Sequence, residues 1–314
     1  MSKKVLILGA KGTLGQALRK EFSAANFVSF PPASPELQRG ERKRESIYSV
    51  LAWDREDGDI TALDFLEKIK AAAPEIIINA TGYNAVDKAE TDSAEKEICF
   101  RVNAEAPGRL AIVAKEINAA FVNYSTDFVF DGKKKGGYTE NDAPNPLSEY
   151  GKSKLAGEQN VAAAGGKFYI IRTSRLYGSL GGSVSPALGR GKKSFVEIMI
   201  EKVDLPEVKV VTDERGSPTF APDLAAFTCA LIENNSPSGI YHGANAGACS
   251  WFEWAEEIFR LLGRSPKLIP ISSVEFNNRV KRPPDSELLN TKTEPVRPWA
   301  EALADCVSLI QPAP

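Results

Sequence analysis

The sequence predicts an α/β protein: a doubly wound parallel sheet followed by a smaller C-terminal α+β lobe. Three observations predict it. A short apolar run, Lys3-Lys-Val-Leu-Ile-Leu8, passes directly into Gly9-Ala-Lys-Gly-Thr-Leu-Gly15. Apolar runs then alternate with helical stretches through the first half, the pattern of a parallel sheet covered on both faces. Finally, Tyr150 and Lys154 stand four residues apart, a spacing that a helix would place on one face.

The glycine turn runs into the helical pattern Leu14, Ala17, Leu18 and Phe22. Glycines permit the tight turn and let backbone N–H groups approach a pyrophosphate at the helix N-terminus. Gly9, Lys11, Gly12, Thr13, Leu14 and Gly15 are therefore candidate dinucleotide contacts. A plain strand-to-helix turn is the bland alternative, and the early position between strand and helix argues against it.

Residues 29–47 interrupt the alternation with Pro31, Pro32 and Pro35 and the run Arg39-Gly-Glu-Arg-Lys-Arg44. They read as an exposed, solvated insertion in preference to a phosphate grip. Beyond it, Tyr48 to Trp53 forms the second strand and ends at Asp54-Arg55. An acid there holds the ribose hydroxyls of NAD, whereas an arginine accommodates the 2′-phosphate of NADP. Both are present, so NADPH and NADH stay open. Asp59 and Ile60 are placed to contact adenine; alternatively Asp59 caps a helix starting near Ala62.

Glu75 to Asn79 is an apolar run typical of a strand buried on both faces. Asn79, Ala80, Thr81 and Tyr83 follow at its carboxyl end, and a long helix is expected over Val102-Asn103 and Leu110 to Ile117. The next strand ends in Asn123-Tyr-Ser-Thr-Asp127, which puts Thr126 where ligands of doubly wound sheets bind. Lys167 to Arg172 reads as another central strand. Past residue 175 the alternation fades. Gly178 to Gly191 reads as a mobile loop over a ligand, Ser194–Lys202 and Ser250–Leu262 as helices, Leu268–Pro284 as irregular, and Pro295–Ile310 as a terminal helix.

Tyr150 and Lys154 carry the chemistry. A free phenol has a pKa near ~10, and a cation one turn away favours the phenolate and makes the phenol a usable acid. The composition is that of a soluble globular chain: 314 residues, 43% hydrophobic, 25% charged, formal net charge −2. That balance argues against a nucleic-acid or anionic-membrane partner. No apolar stretch approaches the ~18 residues of a membrane span, and Met1-Ser-Lys-Lys lacks a signal-peptide core, so a cytoplasmic location is expected. Cys99, Cys229, Cys249 and Cys306 are widely spaced and read as reduced thiols. His242, the single histidine, disfavours a His-based metal cluster or a Ser/His/Asp triad and reads as structural or lining. No metal-ligand spacing is found.

The glycine loop, the strand-end Ser125-Thr126 and Tyr150-x-x-x-Lys154 together resemble the short-chain dehydrogenase/reductase superfamily, with a Rossmann-like sheet. Longer segments narrow the resemblance: Asn79-Ala-Thr-Gly-Tyr-Asn-Ala-Val-Asp-Lys-Ala-Glu90, Ser125-Thr-Asp-Phe-Val-Phe-Asp-Gly132, Pro146 to Glu158, Arg172-Thr-Ser174, Gly216-Ser-Pro-Thr219 and Arg282 to Asn290. They are similar to the dTDP-4-dehydrorhamnose reductase family. The resemblance implies residues 1–174 and 216–246 as a dinucleotide-binding domain, and 175–215 with 247–314 as a sugar-nucleotide lobe. It implies NAD(P)H-dependent reduction of the C4 ketone of a nucleotide-linked deoxysugar. Tyr150 then protonates the alkoxide, Lys154 tunes the phenol and holds the nicotinamide ribose, and Thr126 bonds the carbonyl oxygen. Asn103 supports a relay water or is an ordinary helix asparagine. The implied substrate contacts are Val86, Thr126, Asp127, Phe128, Arg175, Phe195 and Arg282. Some relatives dimerise, so a homodimer is left open.

Two positions depart from the family pattern: Phe128 stands where it has tyrosine, and Arg175 where it has tryptophan. Arg175 exchanges a flat apolar wall for a cation with five donors. Either the sugar carries an acidic or amido substituent, or Arg175 pairs with a carboxylate. Two rival readings stand. The sugar 4,6-dehydratases carry T-D-E where this chain has Thr126-Asp-Phe128, which disfavours elimination. A cofactor-binding regulatory subunit like that of methionine adenosyltransferase is disfavoured by the intact Thr126, Tyr150 and Lys154.

Overall fold

The computed structural model describes residues 2–23, 47–178, 193–276 and 280–310. Apart from Ile47 and Gly178, the expected insertion at 29–47 and loop at 178–191 lie outside the described residues. In chain order the first half comprises β1 (Lys3–Leu8), α1 (Thr13–Ser23), β2 (Tyr48–Trp53), α2 (Leu63–Ala72), β3 (Ile76–Asn79), α3 (Val86–Thr91), α4 (Ser93–Phe100), a π turn (Arg101–Glu105), α5 (Ala106–Glu116), β4 (Ala120–Thr126), α6 (Glu149–Ala164) and β5 (Phe168–Thr173). The second half comprises β6 (Leu176–Tyr177), α7 (Phe195–Glu201), β7 (Glu207–Val211), β8 (Arg215–Gly216), β9 (Thr219–Phe220), α8 (Ala221–Glu233), β10 (Gly239–His242), β11 (Asn245–Ala246), β12 (Cys249–Ser250), α9 (Trp251–Leu261), β13 (Lys267–Ile271), β14 (Val296–Pro298) and α10 (Trp299–Ile310).

Among the described residues the main sheet runs β10-β5-β4-β3-β1-β2, with every pair parallel. The chain steps outward from β1 to β2, then returns to β3 on the other side. The strand order therefore reverses between β1 and β3, where doubly wound sheets open a crevice beyond their carboxyl ends. Ile76, Ile77 and Ile78 of β3 are each at most 3% exposed, because apolar clusters cover both faces. Burying such a side chain contributes roughly 1.5–3 kcal/mol, which explains why this short run is uniformly branched and apolar.

The second half adds its own apolar cluster, in which Tyr177, Trp254, Ile258 and Phe259 pack with Leu303 and Val307. Capping boxes start both α7 (Ser194 with Glu197) and α9 (Ser250 with Glu253), placing these helices close to where the sequence puts them. Two expectations are corrected. Residues 267–271 are not irregular: they pair in parallel with β7, Lys267 opposite Glu207 through Ile271 opposite Val211. Pro270 obscured the strand, yet proline is tolerated where a strand has a neighbour on only one side. The terminal helix begins at Trp299, not Pro295, because Val296–Pro298 forms β14 against β11. All four cysteines are free and buried, and no described helix is long and apolar enough to cross a membrane.

Candidate active site

The glycine loop sits at the strand-order reversal. Gly9 has φ +78°, and a Cβ there would lie 3.0 Å from the Ala80 carbonyl group. A Cβ on Gly15 would lie 2.1 Å from the Gly9 oxygen, so only glycine lets α1 begin this close to the turn. Asp54 closes the loop from β2 by accepting the Lys11 N–H at 2.9 Å. Lys11 reaches Glu56 at 3.0 Å, and Arg55 is exposed beside them. Leu14 turns its side chain into the core, leaving only its backbone for a ligand. Ile60 is half-buried against the apolar cluster under the sheet. Asp59 accepts the Thr61 N–H at 2.9 Å in a turn ahead of α2, which starts at Leu63 with no side-chain cap. The expected cap is thus a turn bond instead.

At the end of β3, Asn79 donates to Asn123 at 2.8 Å and accepts from the Thr81 N–H at 3.2 Å. Tyr83 is clamped by Asn103, which accepts its N–H at 3.0 Å and donates to its carbonyl at 3.0 Å. Asn103 also donates to Ser153 Oγ at 3.1 Å. It lies in the π turn, and such single bulges re-aim side chains at functional sites. Asn103 thus ties the loop after β3 to α6.

Thr126 is the last residue of β4. Its hydroxyl accepts the Phe128 N–H at 3.2 Å and donates to Asp127 Oδ1 at 3.0 Å. Ser148 caps α6 by accepting the Gly151 N–H at 3.1 Å, which places Tyr150 in the first turn and Lys154 one turn deeper. Lys154 is 9% exposed, and its Nζ donates to the Tyr124 carbonyl at 3.1 Å. A Cβ on Gly82 would lie 3.1 Å from that Nζ, so the β3 loop, the π turn and α6 meet at the ammonium. Phe128 packs edge-on to Tyr150 with ring centroids 5.7 Å apart.

One electrostatic expectation is overturned. Burial pushes the Tyr150 phenol above its ordinary range, and the Thr126 hydroxyl only partly offsets this, so the phenol is fully protonated at neutral pH. Burial instead pulls Lys154 down to about 8, against the opposing influence of Cys99 and Glu158. Desolvation is the largest influence on both groups.

The substrate side departs further from expectation. Asp127 is buried and accepts from Ser174 at 2.8 Å and Ser286 at 2.6 Å as well as from Thr126, so its carboxylate ties three segments together. Burial raises its pKa in spite of those bonds. Arg175 has φ +47°, strained for a residue with a side chain. Its guanidinium donates to the Cys249 carbonyl at 2.7 Å and the Glu214 carbonyl at 3.0 Å and stacks 4.0 Å over Trp251. Among the described residues its bonds go to backbone carbonyls and an indole, while the Asp127 and Glu214 carboxylates act on it through charge. Phe195 packs on Trp251 and Trp254, 4.8 and 5.1 Å between centroids. Arg282 bonds Asp87 at 3.0 Å, next to Val86 at the start of α3. His242 is buried, bonded through Nδ1 to the Leu289 carbonyl at 3.0 Å, and held down to about 4 by desolvation.

Sequence reasoning missed the serines that saturate Asp127, the indole under Arg175, and a buried bond from Arg172 to Glu158. Ser174 and Ser286 lie in segments that carry the resemblance, but their bonds to Asp127, like the contact of Trp251, arise only through the fold.

The family model described as the RmlD substrate binding domain matches residues 3–311. The chain belongs to the dTDP-4-dehydrorhamnose reductase family. A dTDP-4-dehydrorhamnose reductase of Burkholderia thailandensis is 31% identical, covering 91% of this chain and 90% of its own. A probable dTDP-4,6-dihydroxy-2-methyloxan-3-one 4-ketoreductase of Streptomyces antibioticus is 35% identical over 96% of this chain and 93% of its own. The crystal structure of the Bacillus anthracis dTDP-4-dehydrorhamnose reductase in complex with NADP superposes with a TM-score of 0.82, at 32% identity, covering 98% of this chain and 99% of that one.

Proposed function

We propose that this family member reduces the 4-keto group of a nucleotide-linked deoxysugar with NADPH or NADH, and that dTDP-4-dehydro-6-deoxy-L-mannose is the foremost substrate. The carrying observation is the convergence of Thr126, Tyr150 and Lys154 at the carboxyl end of β4, beside a glycine turn that no larger residue fits.

The residues present fit a dinucleotide. Gly9, Gly12 and Gly15, with the amides at Thr13 and Leu14, would hold its pyrophosphate, and Asp54, already bonded to the Lys11 amide, or Arg55 its adenosine ribose. Asp59, Ile60, Asn79, Ala80, Thr81, Tyr83 and Asn103 would border the rest of the dinucleotide. When bound, the reduced nicotinamide supplies a hydride. Thr126 would bond the ketone oxygen, and Tyr150, protonated at neutral pH, would give its proton to the developing alkoxide. Lys154, within reach of the Gly82 loop, would orient the nicotinamide ribose and stabilise the phenolate left behind. Val86, Phe128, Phe195 and Arg282 would border the sugar nucleotide, with residues 175–215 and 247–314 as its lobe. Asp127 contributes by fixing Thr126.

A second reading within the class is favoured by Arg175. A cation over Trp251 replaces the aromatic wall of the family and points to a different 4-keto sugar nucleotide. Turnover of a panel of 4-keto sugar nucleotides, followed by nicotinamide absorbance, tests both. Preference for the 6-deoxy-L-mannose derivative supports the first reading, and preference for another 4-keto sugar supports the second. Absence of turnover with any of them contradicts both.

A further inference from the structure

Tyr150, Lys154 and Glu158 follow one another at four-residue intervals on α6 and so form one stripe along the helix. The first two face the crevice. The third is 3% exposed and accepts two parallel bonds from Arg172 of β5, Nε to Oε1 at 2.9 Å and Nη2 to Oε2 at 2.7 Å. Arg172 is itself 1% exposed and lies 5.0 Å over the Phe130 ring. The residues that follow it reach the same end of the sheet. Thr173 lies in register with Thr126, Ser174 bonds Asp127, and Arg175 stacks on Trp251.

Two buried charges are an expensive way to join a helix to a strand. Well-packed apolar side chains of the same volume commonly give equal or greater stability. What a planar two-point bond adds is direction, since a small rotation of α6 breaks one of the two bonds. The surroundings on either side are already tight. A Cβ on Gly157 would lie 2.1 Å from the Asn103 carbonyl oxygen, and one on Gly151 2.3 Å from the Phe128 carbonyl oxygen. Those contacts set how close α6 approaches, and the Arg172–Glu158 pair sets its rotation.

We propose that Glu158 and Arg172 are positioning residues, which fix the angle of α6 so that Tyr150 and Lys154 meet the ketone oxygen held by Thr126. The proposal rests on the reductase reading above. The pair also acts through charge. Lys154 is faced by Cys99 of α4, by Glu158 of its own helix, by the Tyr124 carbonyl of β4, and by the Gly82 loop beside Asn103. Among these, Cys99 and the Glu158 carboxylate both favour the ammonium.

Glu158→Gln keeps the shape and removes the charge. Its kcat is expected to fall about 10²-fold, as for a displacement of about 1 Å, with the NADPH dissociation constant changed by less than about threefold. The Lys154 titration midpoint, followed by NMR of 13C-methylated lysines without any substrate, is expected to move below its value in the unsubstituted chain. The double variant Glu158→Leu, Arg172→Met removes both charges together and is expected to fold while kcat stays about 10²-fold down. Recovery of kcat in the double variant, or an unmoved Lys154 midpoint in Glu158→Gln, would overturn the proposal by leaving the pair a purely structural bond. Should the unsubstituted chain bind NADPH yet turn over no 4-keto sugar, the reductase reading fails, and the Lys154 titration still decides the role of the pair.

Discussion

Where the glycine loop meets β3, contact is backbone against backbone: Gly9 lies against the Ala80 carbonyl and Gly15 against the Gly9 carbonyl. Across the crevice the second half presents side chains instead, with Arg175 over Trp251, Phe195 against Trp251 and Trp254, and Arg282 on Asp87. The first arrangement admits almost no substitution, because a Cβ meets an atom that cannot move. The second can be exchanged one side chain at a time while its scaffold persists. The departures from the family pattern fall accordingly: Arg175 belongs to the exchangeable wall, and Phe128 packs on Tyr150 without altering the backbone approach. On the proposed function, cofactor binding falls to the first region and the choice of sugar to the second.

The largest expected effect lies at the junction of the regions. Lys154→Met should lower kcat by about 10³-fold, within the range for losing a group that supports proton transfer, as steady-state kinetics would show. Next comes Gly15→Ala, whose methyl would sit 2.1 Å from the Gly9 oxygen. Overpacking of this kind costs about 1–3 kcal/mol, and NADPH affinity measured by fluorescence should fall at least about tenfold. Smaller, and confined to the other wall, Arg175→Trp should change the ranking of sugar nucleotides by about tenfold in kcat/KM while leaving NADPH affinity unchanged. An unchanged ranking would remove Arg175 from specificity.

A pH experiment sharpens the same contrast. Lys154 has its pKa lowered from 10.5 to about 8 by burial. Turnover that needs the ammonium should fall as pH rises through about 8. Stability should move the other way. Between about 8 and 10.5 the unfolded chain holds more protons at this lysine than the folded one, so the penalty of burying the charge is relieved as pH rises. Denaturant titrations of the unsubstituted chain and Lys154→Met across this range isolate that contribution.

Much of the first region was legible in sequence because its signals are local. A strand-to-helix glycine turn, the branched run at Ile76–Ile78 and the spacing of Tyr150 and Lys154 each state their geometry within a few residues. The second region was harder to read. β7 and β13 pair across 60 residues with Pro270 inside one of them, and Ser286 reaches Asp127 across 159 residues. Spacing also misled where desolvation decides: the placement of Tyr150 and Lys154 one turn apart was legible, but the desolvation of the phenol was not, and it reverses the expected shift. The Arg172–Glu158 bond went unread because nothing in the spacing of the two residues shows that a helix and a strand bring them together in the interior.

The most direct test of the central claim is nicotinamide absorbance with dTDP-4-dehydro-6-deoxy-L-mannose generated in place, comparing NADPH with NADH and the unsubstituted chain with Tyr150→Phe. The account predicts rapid oxidation that Tyr150→Phe reduces by about 10³-fold while cofactor binding persists. Turnover undiminished in Tyr150→Phe would contradict it, because the proton would then come from a group other than the phenol at the end of β4.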